Sequence, residues 1–285
     1  MSHPAKTFAN IVLYTVLILF SIVTIIPFFW LVCGALKSQA DYFTFMFLPL
    51  GEGFLGVAWD RLTLENFGSL FTELNFATNI TNSIFLASSI SILGTTCAAF
   101  GGYALSKFQF PGRTAITGLV LSALIIPGPL LIAPGYQLLY HLGLINSYAG
   151  IILPSIAPAF GLFLFRQAML NSVPQELLEA ARIDGCGEFR IFFSVVMPIV
   201  RPMMGAFLMI TFLGAWNNYI GPQIILQDPD KFPLSVAIAQ LRGLYQTNYG
   251  MISAGTLVSI APVMIIFLLL QKEFISGLTS GAVKG

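Results

Sequence analysis

Six runs of this chain are so long and so apolar that lipid is the only solvent in which they can fold. They cover roughly Ile11–Leu36, Asn79–Ser106, Thr114–Ala133, Tyr148–Met169, Pro202–Leu226 and Gly250–Leu270. A helix needs about 20 apolar residues to cross a hydrocarbon core. Lipid offers no partner to a free N–H or C=O, so each run must satisfy its own backbone, and the expected fold is all-α. The polar stretch Met1 to Asn10 precedes a run that reaches Gly34. That run is too long for a signal-peptide core and lacks a small-residue cleavage site, so it reads as a retained first span. With 56% hydrophobic and 9% charged residues and a mean hydropathy of +0.86, residues 1–285 form a single transmembrane domain without a soluble one.

The second run is rich in Ser, Thr, Gly and Ala, the composition of a helix packed closely against other helices. Pro27, Pro127, Pro129, Pro154, Pro158, Pro222 and Pro262 interrupt the runs. Each frees a carbonyl that a neighbour or water must satisfy, which places these helices in a bundle. If the N-terminus is inside, one side carries Lys6, Lys107, Arg113, Arg166, Arg182, Arg190, Arg201, Lys272 and Lys284. The other carries only Lys37, Arg61, Lys231 and Arg242. That asymmetry puts both termini in the cytoplasm.

No Asp, Glu, Lys or Arg falls near the middle of any run. Ion-coupled carriers usually keep a buried ionisable group for the proton or a counter-charge, whereas a pathway without one suits a neutral, hydroxyl-rich solute. Sodium sites made of backbone carbonyls leave open a secondary transporter of a small polar solute. A net charge of +1 argues against a nucleic-acid partner. No Gly-Lys dipeptide exists to build a phosphate-cradling loop, and His3 and His141 cannot assemble a zinc site. Cys33, Cys97 and Cys186 lie far apart and form no paired motif. The expectation is no catalytic residue, no metal and no cofactor in this chain. Near the end of the fifth run sits a polar knot, Trp216-Asn217-Asn218-Tyr219, with Gln223 beyond. Buried amides cost free energy unless bonded, so Asn217, Asn218, Tyr219 and Gln223 either glue helices or line a pathway suited to a sugar.

Residues 170–201 break the apolar pattern. Ser172 is a candidate helix cap, with Pro174 early in the helix and Gln175 completing a capping box. Glu179 and Arg182 are helical neighbours, and Gly185 can take the left-handed turn that ends the helix. A second segment, Phe189 to Val196, is expected to stop at Pro198. An amphipathic linker lying on the bilayer is one reading. A helix gripped from the water side is the other.

The run Glu179-Ala180-Ala181-Arg182-Ile183-Asp184-Gly185, followed by Phe192, Pro198 and Pro202, resembles the EAA loop of ABC-importer permeases. Cys186 stands where that family often has Ala. Leu153-Pro154 with Phe160 to Gln167 resembles the fourth span of sugar-importer permeases. Gly277 to Gly285 resembles the tail of the smaller maltose permease and its relatives. The resemblance implies a six-span permease fold in a prokaryotic cytoplasmic membrane. It also implies a second homologous permease, a dimer of ATPase subunits holding ATP and Mg, an extracytoplasmic solute-binding protein and a sugar substrate. Glu179, Ala180, Ala181, Asp184, Gly185, Phe192 and Pro198 would form the coupling loop. Residues 272–285, with Gly281, Lys284 and Gly285, would enter the ATPase interface as a thin, flexible strand. The outer segment from Gln227 to Tyr249 would reach toward the binding protein.

Overall fold

The computed structural model describes residues 3–242 and 247–282. In chain order its helices are α1 (His3–Ala35), α2 (Glu65–Thr72), α3 (Phe76–Lys107), α4 (Arg113–Ala123), α5 (Ile132–His141) and α6 (Tyr148–Ser155). They continue with α7 (Ala159–Ser172), α8 (Gln175–Ile183), α9 (Glu188–Ile191), α10 (Met197–Trp216), α11 (Ile220–Ile225), α12 (Leu234–Gln240) and α13 (Tyr249–Ala282). No sheet occurs among the described residues. Among the described residues five stretches are long and apolar enough to span a bilayer, and a bent pair makes a sixth when counted as one span.

Three expected boundaries change. The third run is not one helix: Arg113–Ala123 and Gly128–His141 meet at 102°. Pro127 and Pro129 remove two donors in succession, and Gly128 between them gives the chain no reason to stay helical. The fifth span starts at Glu188 and ends at Trp216, so Pro198 does not stop it. A π turn at Phe192–Val196 precedes the proline, and the Met197 N–H reaches back to the Phe192 carbonyl. The wider turn accommodates a ring that would clash with an α-helical carbonyl, and the helix continues through Pro202. At the far end, α13 runs to Ala282, so the expected strand is helical over 277–282 and includes Gly281. Lys284 and Gly285 lie outside the described residues, as do Tyr245 and Gln246.

The chain divides into two compact units. In the first, residues 1–76 and 238–261, the described apolar side chains of α1 are mostly exposed, as lipid solvent allows. Its end is fastened by polar groups. Asn66 Nδ2 donates to the carbonyls of Ala35 (2.9 Å) and Lys37 (2.8 Å), covering acceptors that a helix end leaves open. The buried Lys37 Nζ donates to the Phe45 carbonyl at 2.6 Å and the Tyr42 carbonyl at 3.2 Å. Residues 51–62, unassigned from sequence, form two short turns with Leu55 and Gly56 at φ of 61° and 71°. Arg61 pins them through its ion pair to Asp41.

In the second unit, residues 77–237 and 262–285, the small residues of α3 make a close crossing with α7. A Cβ on Gly102 would lie 2.6 Å from the Phe165 Cβ and 2.8 Å from the Arg166 amide nitrogen. A Cβ on Gly161 would lie 2.4 Å from the Phe207 ring. Only glycine permits such an approach.

Candidate functional site

The polar elbow between α7 and α10 is built on a dry base. Ala98, Ala99 and Tyr103 of α3, Phe165 and Met169 of α7, and Phe192, Val196, Val200 and Phe207 form one buried cluster. Leu178 of α8 is 0% exposed and lies in this cluster with Val173 and Ile191. Phe100 stacks on Phe192 with centroids 4.3 Å apart, fixing α3 against the π turn. Lys107 donates to the Val173 carbonyl just before α8. The elbow is thus anchored to three spans by packing, and α8 cannot slide without disturbing them.

The opposite face of α8 is open. Glu176, Leu177, Glu179, Ala180 and Ile183 are exposed, at the spacing of one helical face. Ile183 is 86% exposed and Phe189 75%, two apolar side chains at the tip of the elbow that the sequence reading did not single out. Asp184 and Pro198 are exposed, Ala181 is half-buried and Phe192 is buried, so the EAA-like residues divide between an outer face and the base.

Gly185 ends α8 at φ +78°. Its N–H donates to the Arg182 carbonyl and that of Cys186 to the Ala181 carbonyl, both at 3.0 Å, a full Schellman closure. The start differs from expectation. Pro174 occupies the cap position, no side chain caps α8, and Ser172 is the last residue of α7. The expected box does not form because Ser172 is already committed to the preceding helix.

The reversal at Gly185 brings Glu188 back to Arg182. Arg182 Nε donates to Glu188 Oε1 at 2.6 Å, and the Tyr103 hydroxyl donates to Glu188 Oε2 at 2.9 Å. Arg182 also lies 5.9 Å from the centre of the Phe108 ring. The Glu188 hydrogen bond drives the Arg182 pKa up, and Glu179 adds only a weaker attraction. Glu188 thus takes the place of Glu179 as the partner of Arg182.

The polar knot forms the joint between α10 and α11. Trp216 is buried and stacks on Phe212 at 5.7 Å. Asn217, Asn218, Tyr219 and Gln223 are exposed. Asn217 Nδ2 donates to the Leu213 carbonyl at 3.0 Å, and Asn218 Oδ1 accepts from the Gly221 N–H at 3.2 Å. Of the four, only Asn218 lines a cleft of about 300 Å³, where Tyr136, Pro154 and Ser155 bring in the bends of the third and fourth spans. Asn217, Tyr219 and Gln223 are not among its walls.

A second polar site, at the N-terminal end of α3, was not anticipated. Asn79 Nδ2 donates to the Phe232 carbonyl (2.8 Å), and Asn82 Nδ2 to those of Asp230 (2.8 Å) and Phe232 (3.1 Å). Tyr148 donates to Asn82 Oδ1 at 2.8 Å, and Ser83 Oγ accepts from the Leu234 N–H at 2.7 Å. Asn146, at φ 57°, accepts through Oδ1 from the Gln227 and Asp228 N–H groups at 3.1 Å each. These amides hold residues 227–234, the start of the expected outer segment.

The pattern of the family described as "Binding-protein-dependent transport system inner membrane component" matches residues 3–275. Among curated proteins, the chain is 40% identical over 225 residues to the arabinooligosaccharides transport system permease protein AraQ of Halalkalibacterium halodurans, covering 79% of this chain and 80% of that one. It is 36% identical to AraQ of Bacillus subtilis over 283 residues, 99% of this chain and 98% of the relative. It is 31% identical to the lactose transport system permease protein LacG of Rhizobium radiobacter, over the full length of both. Among solved structures, a chain of a bacterial ABC transporter that imports the acidic polysaccharide alginate superposes with a TM-score of 0.80. That match has 22% identity and covers 96% of this chain and 99% of that one.

Proposed function

The chain belongs to the binding-protein-dependent transport inner-membrane family, and from that premise we propose that it forms half of the path by which an ATP-driven importer admits a neutral carbohydrate, a sugar or oligosaccharide. It is a multi-pass permease subunit and not an enzyme. A self-sufficient ion-coupled carrier gains nothing from the elbow and is set aside. The ATPase subunits, carrying ATP and Mg, grip the exposed face of α8 on the cytoplasmic side, with Glu179 as the charged contact and Ala180 and Ala181 allowing close approach. Asp184 and Gly185 shape the turn, while Phe192 and Pro198 belong to its mount. The tail, with Gly281, Lys284 and Gly285, lies between the ATPase subunits. A second, homologous permease completes the pathway, to which this chain contributes Asn218, with Asn217, Tyr219 and Gln223 beside it. A solute-binding protein delivers the sugar from outside.

One observation carries the coupling role: α8 has one face locked into the packing of three spans and the other left open, with apolar and acidic groups on it. A helix so mounted can bias two global states only through a partner that binds them differently. The sugar class rests on the substrates named for the relatives. The fifth span, Glu188–Trp216, carries Arg201 near its middle, so the expected absence of central charge does not hold there and lends no support. The test is uptake by proteoliposomes holding this chain, its partner permease and the ATPase, supplied with the binding protein. Arabinotriose, lactose, raffinose and an oligogalacturonate are offered in turn. ATP-dependent uptake of a neutral sugar is expected, and Gly185→Val should lower it at least tenfold while the chain stays inserted. Uptake driven by an ion gradient, preference for the acidic sugar, or indifference to Gly185→Val would each break the corresponding part.

A further inference from the structure

We propose that Glu188 is a positioning residue that links α8 to α3 through Tyr103, so that the stroke entering at α8 moves the second span together with the fifth. The inference rests on the coupling reading above.

Glu188 stands where three pieces of chain meet. One carboxylate oxygen takes the Arg182 Nε–H of α8 at 2.6 Å, and the other takes the Tyr103 hydroxyl of α3 at 2.9 Å. Glu188 itself opens α9, which continues through the π turn into α10. Tyr103 is 4% exposed and its ring packs on Phe108 and Phe192 with centroids 5.3 and 5.4 Å away, so its hydroxyl has a fixed aim. The apolar anchor alone would let α8 roll about Leu178, because dispersion has no direction. A two-armed carboxylate is directional, and its hydrogen bonds to a guanidinium and a phenol define one orientation of α8 relative to α3. The neighbouring cleft of about 280 Å³ between Phe100, Ala104, Phe108 and Phe189 leaves room for α9 to shift if the tie is cut.

The test uses the assembled transporter in nanodiscs, with Cys33→Ala and Cys186→Ala, spin labels on the exposed Cys97 of α3 and on His141→Cys of α5, and distances measured with and without ATP plus vanadate. The parent is expected to change its distance distribution on nucleotide binding. Tyr103→Phe and Glu188→Gln should each reduce that change at least threefold, with the ATPase still co-purifying, and the double variant should be no worse than either single one. A merely structural role would lower thermal stability and leave the change intact. The proposal is overturned if the parent shows no change, or if both single variants keep it. Gly185→Val separates the two readings: if only this inference fails, it abolishes the change while the Tyr103 and Glu188 variants retain it. If the coupling reading fails, it too leaves the change in place.

Discussion

The two ends of α3 are joined to their surroundings by different physics. At the Lys107 end, the elbow is held by a buried apolar cluster centred on Phe165, Phe192 and Leu178, with the half-exposed Arg182–Glu188 ion pair on its rim. At the Phe76 end, residues 227–234 are held by Asn79, Asn82, Ser83 and Asn146 bonding to backbone groups, with a smaller apolar set of Leu86, Ile90, Leu226 and Phe232 behind them. Packing is strong and tolerant of small rotations, which suits a joint that must bear a push in either direction. Amide-to-backbone bonds are directional, which suits a loop that must keep one shape. Lys231 adds a charged tie, donating to the Asn146 carbonyl at 3.0 Å and pairing with Asp228 at 3.6 Å. The difference teaches that this span is a lever with a packed fulcrum at one end and a clasp at the other.

The packed end should break most completely. Gly102→Leu drives a side chain into the Phe165 Cβ and the Arg166 backbone, neither of which can yield. We expect a loss above about 3 kcal/mol, the upper end of overpacking costs. It should appear as disappearance of the folded detergent-soluble peak. Gly118→Leu, where nothing lies within 4 Å, should leave that peak unchanged and so isolates the crossing.

Leu178→Ala tests the same end by subtraction. It removes a fully buried side chain and should cost about 2–4 kcal/mol, read as a lower melting temperature. Asn82→Leu tests the clasp. It keeps the branched shape but removes the amide that donates to the Asp230 and Phe232 carbonyls and accepts from the Tyr148 hydroxyl, leaving Asn79 alone on the Phe232 carbonyl, at a cost of about 1–3 kcal/mol. Hydrogen exchange over 227–234 should rise in Asn82→Leu and not in Leu178→Ala. Were both variants to loosen the same residues, the ends would not be independent joints.

What the sequence disclosed follows the same division. That the chain is built of spans was legible because length and apolarity decide it, although the fifth begins at Glu188 and not at the expected Pro202. Gly185 was legible because few residues accept a left-handed φ. The 102° break exceeds the interruption expected at Pro127 and Pro129, since the consequence of Pro127-Gly128-Pro129 depends on what the flanking helices pack against. Pro198 was misread because local propensity cannot foresee a π turn that makes room for its ring. Glu188 was invisible for a geometric reason: its bond to Arg182 spans six residues and exists only after the chain reverses, and Tyr103 lies 85 residues away. Asn79, Asn82 and Asn146 did carry a signal. An amide at the end of an apolar run must find a partner, and the carbonyls of a loop that returns to that end are the nearest supply.

The smallest effect is expected at the ion pair. Arg182 and Glu188 have side chains 33% and 40% exposed, so their attraction is screened and competes with the entropy of ordering both. Arg182→Gln should therefore cost about 1 kcal/mol or less, and the difference in melting temperature from the parent should shrink as salt rises, because screening removes from the parent what the variant already lacks. Asn82→Leu should show no such convergence, since its bonds are between neutral groups. If Arg182→Gln proved as destabilising as Leu178→Ala at every salt concentration, the rim charge would belong to the fulcrum itself, and the elbow would be a polar joint rather than a packed one with a directional tie.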